Sequence, residues 1–276
     1  MSSAAPTPAE TFHDAFYKFV SVEDPDILVT QLREIAQNLL GSVLVAPEGV
    51  NGMLAGSVRA LDRFQAALLQ EPRFQGKFRG MQFKRSPCVT PPFHKLKINR
   101  KREIVPLGID GVDATSRTGI NVSPADWQRL IHEDDVVVID NRNSFEHRLG
   151  RFRNSINPQV ANFRDFPNYV KDHVEMWKAE GKRVAMYCTG GIRCEKTSAW
   201  MLDLGLPVYQ LEGGILNYFI EMQGAADEWE GECFVFDNRV ALDTQLMETG
   251  TTLDDVYDDE RDGEWRLRRA RVLQAG

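Results

Sequence analysis

Short, wholly apolar segments alternate with helix-like segments in the second half of the chain. "DVVVID" and "RVAMYC" are too short for buried helices and lack the polar alternation of a half-exposed strand. The helical segments "NYVKDHVEMWKAEG" and "EKTSAWMLDLG" follow these two strands. Strands that alternate with helices in this way indicate a parallel sheet covered on both faces. The sequence therefore predicts a three-layer α/β domain over residues 116–228.

The first half of the chain has a different order of elements. It reads as strand, helix, two strands, helix and strand, which is the order of a ferredoxin-like α+β unit. In the first helix, Asp24 is a plausible N-cap, Pro25 suits the first turn, and Gly41 is expected to end the helix. We assign this domain, with a basic connector, to residues 15–115. A flexible tail over 1–14 and a C-terminal extension over 229–276 complete the chain.

Composition limits the class of protein and its setting. The 276 residues suffice for two ordinary domains, and no apolar run approaches the length of a membrane span. The N-terminus has no basic, apolar signal-like stretch. Four cysteines without a Cys-x-x-Cys pair favour neither a disulfide framework nor a zinc ribbon. We therefore expect a cytoplasmic protein with no metal site.

The stretch "YCTGGIRCEKTSAWML" places a cysteine between a predicted strand and a predicted helix. Glycines let the backbone curl so that several amides point inward, and a helix N-terminus adds partial positive charge. Such a cradle binds an anion or stabilises a thiolate. We therefore interpret Cys188 as a nucleophile, with Arg193 adding charge at the rim of the loop. The predicted cradle consists of Thr189, Gly190, Gly191, Ile192 and Arg193.

The length of this loop narrows its chemistry. Four residues separate Cys188 from Arg193. This spacing resembles the active loop of rhodanese domains, in which a cysteine carries sulfur as a persulfide, whereas related phosphatase loops have five intervening residues. The shorter loop makes a tighter ring of amides and disfavours phosphatase activity.

The segment "VVVIDNRNSFEHRLGRFRNSINPQ" extends the rhodanese resemblance. It looks like the strand, Asp-x-Arg pair and acidic helix of that family. Asp140, Arg142, Glu146 and Gly150 occupy the matching positions. We interpret Asp140 and Arg142 as an ion pair that supports the active loop rather than as participants in the chemistry.

The resemblance becomes closer when the whole chain is considered. "FYKFV", "PEGVNGMLAG", "PFHKLKINRKREIV", "NFRDFPNYV" and "LEGGILNYF", together with the cysteine stretch, resemble the tRNA uridine hydroxylase family, formerly the rhodanese-like UPF0176 group. The resemblance implies oxygen-dependent conversion of the wobble uridine in tRNA to 5-hydroxyuridine, with no metal or flavin cofactor. The catalytic cysteine of the family matches Cys188. Many members carry a cysteine-rich tail, whereas this chain ends in "ERDGEWRLRRARVLQAG".

The charge distribution agrees with an RNA partner although the net charge is −7. Nine basic residues and no acidic residue lie between positions 77 and 102. Such a block is typical of a surface that binds phosphates, here those of a tRNA anticodon loop. Phe83 and Phe93 lie within it, either as stacking platforms or, the interpretation we favour, as core residues. The predicted RNA contacts are Lys84, Arg85, Lys95, Lys97, Arg100, Lys101 and Arg102.

The sequence alone leaves two alternatives to the hydroxylase interpretation open. A thiosulfate-type sulfurtransferase would need only the C-terminal domain and would leave the basic N-terminal domain unexplained. A non-enzymatic RNA-binding protein would not need both Cys188 and Arg193. Cys194 is either a thiol that resolves an oxidised Cys188 or, as is commoner for buried thiols, a packed helix residue.

Overall fold

The computed structural model describes residues 11–258 and 263–275, and its N-terminal domain is built on a five-stranded sheet of order β4-β1-β3-β2-β5. Strands β1 to β4 with two helices form the predicted ferredoxin-like arrangement, and β5 from the basic connector adds a parallel strand beside β2. The elements are β1 (Thr11–Phe19), α1 (Pro25–Ile35), β2 (Leu40–Ala46), β3 (Gly49–Gly56), α2 (Val58–Gln70), β4 (Phe83–Cys88) and β5 (Leu96–Arg100). Residues 11–14, which the sequence assigned to the tail, belong to β1, and residues 1–10 lie outside the described residues.

Helix α1 starts as predicted but ends earlier. The Asp24 side chain accepts hydrogen bonds from the first-turn amides, and Leu28 and Leu32 are buried. The helix stops at Ile35, so the prediction that Gly41 ends it is wrong. Gly41 lies instead in β2 with φ +140°, where an added Cβ would stand 2.1 Å from the Met53 carbonyl oxygen. Glycine is required there by close approach of two strands.

The second domain contains the predicted parallel sheet, with strand order β6-β10-β9-β7. In β9, Val184 and Met186 face one apolar cluster, and Ala185 and Tyr187 face the other. Helices cover both faces, which confirms the three-layer prediction. The elements are β6 (Ile120–Val122), α3 (Pro124–Leu130), β7 (Val136–Asp140), α4 (Ser144–Leu149), β8 (Gly150–Phe152), α5 (Phe166–Ala179), β9 (Arg183–Tyr187), α6 (Ile192–Asp203), β10 (Val208–Leu211) and α7 (Gly214–Glu221).

The C-terminal segment packs on this domain. It contains α8 (Ala225–Glu228), β11 (Trp229–Gly231), β12 (Cys233–Phe234), β13 (Ala241–Leu242), α9 (Leu253–Tyr257) and α10 (Gly263–Ala275). Strand β11 pairs with β8, and α9 contributes Leu253, Val256 and Tyr257 to an apolar cluster with Phe145 of α4. The apolar side chains of α9 are therefore buried, while its acidic residues Asp254 and Asp255 are exposed. In the part of the chain that the structure covers, no helix is long and apolar enough to cross a membrane.

The two domains meet through helix α6. Lys196 of α6 is buried and forms ion pairs with Glu48, at 2.8 Å, and with Glu103, both from the N-terminal part of the chain. Phe19 and Ala46 share an apolar cluster with residues of α6. The N-terminal sheet is thereby held beside the cysteine loop.

Candidate active site

Cys188 follows β9 directly and lies in a loop held by backbone amides. Its side chain is fully buried, and the Gly191 amide donates a hydrogen bond to Sγ at 3.1 Å. Gly191 has φ +100°, a conformation that glycine adopts readily. The carbonyl groups of Cys188 and Thr189 accept hydrogen bonds from the amides of Ile215 and Leu216 at the start of α7. The "LEGGILNYF" block thus fixes the loop from the opposite side.

The surroundings of Cys188 favour its ionised form. Burial raises the pKa of Cys188, but the Cys194 thiol, the charge of Arg193 and the amides of both residues outweigh burial and lower it to about 5. Burial and the hydrogen bond to Cys188 raise the pKa of Cys194 well above its ordinary value. Burial therefore favours the protonated form of Cys194 beside the Cys188 sulfur, and its role as a resolving thiol or as a packed helix residue stays a prediction.

The sequence suggested that Arg193 lies at the rim of the loop. In the structure Arg193 is buried instead, with only 8% of the residue exposed. Both of its terminal nitrogens bind the Glu146 carboxylate at 2.7 Å, and Glu146 is fully buried at the start of α4. Burial opposes ionisation of Glu146, but Arg193 outweighs it and lowers the Glu146 pKa. A buried ion pair thus holds the positive charge next to Cys188. Thr189 lies at its edge, 3.3 Å from an Arg193 nitrogen.

Asp140 and Arg142 form a second buried ion pair, with nitrogen–oxygen distances of 2.6 and 2.8 Å. The Tyr187 hydroxyl donates to Asp140 at 2.9 Å, and Arg142 donates to the Gly150 carbonyl at 2.6 Å. The pair therefore contacts the residue before Cys188, and its support of the loop remains a prediction. Ile192, the last cradle position before Arg193, packs its side chain against the core.

Lys84 was predicted to contact RNA, but in the free protein its side chain is buried against the cysteine loop, so contact with RNA stays a prediction. Its Nζ donates to the Gly190 carbonyl at 2.9 Å and lies 5.3 Å from the centre of the Tyr17 ring. Burial lowers the pKa of Lys84 to about 8, although the negative charges of Cys188 and Glu195 raise it. The N-terminal domain thus contributes a cation to the active loop.

Tyr17 and Glu195 are site residues that the sequence reasoning missed. The Tyr17 hydroxyl donates to Glu195 at 2.8 Å, joining β1 to the first turn of α6. An added Cβ on Gly191 would lie 2.8 Å from the Tyr17 oxygen, so Tyr17 contacts the loop closely. The "FYKFV" block carried the signal for Tyr17, but only the docking of the two domains gives it a role.

The other six predicted RNA contacts fall into three groups: ion-paired, exposed and cavity-lining residues. Arg85 binds the carboxylates of Asp14 and Asp62, and Arg100 binds Asp26. Lys101 and Arg102 are exposed, and Lys95 and Lys97 line a cavity beside the C-terminal helix. Phe83 packs in the N-terminal core against Phe16, in agreement with the core interpretation, while Phe93 stacks on His13 and lines the same cavity.

The ionisation of Cys188 can be measured directly. We titrate the thiolate absorbance of the wild-type protein and subtract that of Cys188→Ala, which lacks the sulfur. The difference is expected to have a midpoint near pH 5, well below the value of about 8.5 for a free thiol. Lys84→Met removes a nearby cation and should move the midpoint upward. A wild-type midpoint near that of free cysteine would contradict the activated-thiolate interpretation.

The four cysteines are free and buried. Within residues 11–258 and 263–275, no group of three or more His, Cys, Asp or Glu side chains is arranged to hold a metal ion.

The fold and the cysteine loop define a rhodanese-domain protein with an acylphosphatase-like N-terminal domain. Residues 13–104 match the family model described as the UPF0176 acylphosphatase like domain, and residues 123–221 match the Rhodanese-like domain. A rhodanese-related protein from Thermoplasma volcanium is 28% identical over 37% of this chain and 92% of its own, with a TM-score of 0.28.

Longer matches cover both domains. The tRNA uridine(34) hydroxylase of Synechococcus elongatus is 44% identical over 235 residues, which cover 84% of this chain and 85% of the relative. That of Teredinibacter turnerae is 44% identical over 237 residues, covering 85% and 72%. The chain belongs to the tRNA uridine(34) hydroxylase family.

Proposed function

We propose that this chain hydroxylates uridine 34 of tRNA to 5-hydroxyuridine, with molecular oxygen as co-substrate and Cys188 as the catalytic residue. The observation that carries the proposal is the 44% identity to tRNA uridine(34) hydroxylases, which runs through both domains. A simple sulfurtransferase would need the rhodanese domain alone. The placement of Lys84, from the N-terminal domain, at the loop supports joint action of the two domains.

The ionised sulfur supplies the first step of the proposed reaction. The Cys188 thiolate adds to C6 of the uracil ring, and C5 becomes nucleophilic and combines with oxygen to give a hydroperoxide. Elimination of the cysteine restores the ring. An external donor then supplies two electrons and two protons, so that one oxygen atom stays on C5 and the other leaves as water.

The low pKa of Cys188 suits both the addition step and the elimination step of this reaction. At neutral pH the sulfur is already a nucleophile, and the charge of Arg193 and the loop amides also make it a good leaving group in the elimination. The sulfur has no contact with solvent in the free protein, so the uracil ring reaches it only after side chains over the loop move. Tyr17 and Lys84 contact the loop from the N-terminal domain.

Mass spectrometry of tRNA nucleosides tests the proposal. Purified protein is incubated with unmodified tRNA and dithiothreitol as electron donor, in air, under nitrogen and under oxygen-18 gas. We expect uridine 34 to gain one oxygen atom in air, none under nitrogen, and the heavy isotope from labelled gas. Unmodified uridine 34 in air, together with rapid thiocyanate release from thiosulfate and cyanide, would instead favour the sulfurtransferase.

A further inference from the structure

A cavity of about 480 Å³ separates the basic strand β5 from the C-terminal helix α10. We call it the β5–α10 cleft. Its walls come from β2 and β3, from residues 92–97 of the basic connector, from the start of α4, from the turn at Asn162 and Arg164, and from the C-terminal segment. The lining residues that matter for its chemistry are Lys97, Arg164, Phe236, Trp265, Arg266 and Arg269.

The charge of the β5–α10 cleft is strongly positive although the chain as a whole is acidic. Beside Lys95, the cations that line it are Lys97, Arg164, Arg266 and Arg269, and Asp237 is the one carboxylate among the described lining residues. Both oxygens of Asp237 are already bound by Arg239, at 2.7 and 2.8 Å. Among the described lining residues, no further carboxylate remains to neutralise Lys97, Arg266 and Arg269. A polyanion such as a nucleic-acid backbone complements this surface.

The cleft also holds exposed aromatic rings. Phe236 is 52% exposed and Trp265 is 56% exposed, and every other Phe, Tyr and Trp among the described residues is partly or fully buried. Both exposed rings line this one cavity. The Arg269 guanidinium lies 5.4 Å from the centre of the Trp265 ring. Flat rings beside guanidinium groups are the usual platform on which proteins stack unpaired bases.

One cation in the cleft has an unused donor. Arg266 is fixed by a hydrogen bond of 2.6 Å from Nη2 to the Ala161 carbonyl, and its guanidinium lies 5.6 Å from the centre of the Phe145 ring. Its Nε is buried and has no hydrogen-bond partner in the described chain. A buried donor of this kind is costly unless a ligand atom satisfies it.

The cleft adjoins the active loop. The Phe236 ring that lines it lies 5.9 Å from the guanidinium carbon of Arg193, and Phe145 of its wall directly precedes Glu146. A strand of RNA with one nucleotide at Cys188 therefore has its neighbouring nucleotides within reach of the cleft.

We infer that the β5–α10 cleft binds an unpaired nucleotide of the RNA substrate, next to the one presented to Cys188. The base stacks on Trp265 or Phe236, and its phosphate lies among Lys97, Arg266 and Arg269. This inference rests on the proposed function, because it takes the anticodon loop as the bound strand. It assigns to the C-terminal segment a part in substrate binding.

Binding of a fluorescein-labelled anticodon stem–loop RNA hairpin, followed by fluorescence anisotropy at several salt concentrations, tests the cleft. We expect Trp265→Ala to raise the Kd roughly tenfold, the usual size of a lost base–aromatic stack. Arg269→Glu should raise the Kd at least as much and reduce the salt slope of log Kd by about 0.7, the value for one contact to single-stranded phosphate.

Arg268→Glu is the matched control, because Arg268 is the next residue on α10, is 75% exposed and does not line the cleft. Its Kd should stay within about threefold of wild type, and circular dichroism should show all variants folded. Equal Kd values for Arg269→Glu, Arg268→Glu and wild type would contradict nucleotide binding in the β5–α10 cleft. Failure of wild type to hydroxylate the hairpin, with the Arg269 effect intact, would overturn the proposed function and leave RNA binding in the cleft supported.

Discussion

Cys188→Ala is expected to reduce hydroxylation of uridine 34 to background, at least about 10³-fold below wild type, because removal of a nucleophile abolishes the covalent route. Cys194 is not expected to replace the sulfur, since its side chain is buried and burial is the largest cause that raises its pKa. The measurement is nucleoside analysis of tRNA from cells in which the variant is the sole copy of the protein.

Cys88→Ala provides the control for this experiment. Cys88 is also buried, but burial raises its pKa to about 11, so it is not a nucleophile at neutral pH. We expect normal levels of 5-hydroxyuridine in that variant. Unchanged 5-hydroxyuridine in Cys188→Ala cells would contradict a catalytic role for Cys188, whereas loss in both variants would point to a defect in folding.

The folds of both domains follow from local patterns in the sequence. The apolar runs of β7 and β9 pack on helices at both faces, so their composition alone indicates a covered parallel sheet. Gly41 shows the limit of this reasoning. A glycine after an amphipathic segment suggests a helix end, but here it is needed because β2 and β3 approach closely where they pair as a hairpin.

Lys84 could not be placed from its local sequence. It lies in a basic block, and bases in such a block are usually solvated or bound to phosphate. The alternation along β4 puts Lys84 on the buried face with Ser86 and Cys88, opposite to Arg85. What gives it a partner is the Gly190 carbonyl, 106 positions away in the other domain. Contacts of this kind depend on domain docking, which periodicity does not encode.

The sequence identified Glu146 as a position that matches the rhodanese family, but it did not predict that Glu146 pairs with Arg193. The sequence placed Arg193 at an open rim, where a carboxylate partner is not required. In the structure Arg193 is buried, and a buried cation needs a paired anion. The capping position of Glu146 at the start of α4, where it also accepts a hydrogen bond from the Asn143 amide, directs its carboxylate to Arg193.

Glu146→Gln should therefore be strongly destabilising. The substitution keeps the size of the side chain but leaves Arg193 as a buried charge without its carboxylate partner. Breaking a buried pair in this way costs about 3–5 kcal/mol in the free energy of unfolding. Urea denaturation measures the loss. Without the carboxylate, the charge of Arg193 acts on the sulfur uncompensated, so we expect the Cys188 pKa to fall further, which the thiolate absorbance reports.

Glu175→Gln tests whether burial causes the effect. Glu175 pairs with Lys178 at 3.0 Å on the surface of α5, and its side chain is 82% exposed. An exposed pair contributes little, so the free energy of unfolding should change by about 0.5 kcal/mol or less. Equal losses of unfolding free energy in the two variants would mean that the buried Glu146–Arg193 pair does not stabilise the domain more than an exposed pair does. A large loss of unfolding free energy in Glu146→Gln, together with a lowered Cys188 pKa, would show two effects of the Arg193 charge. It needs Glu146 for the stability of the domain, and it favours the ionised form of Cys188.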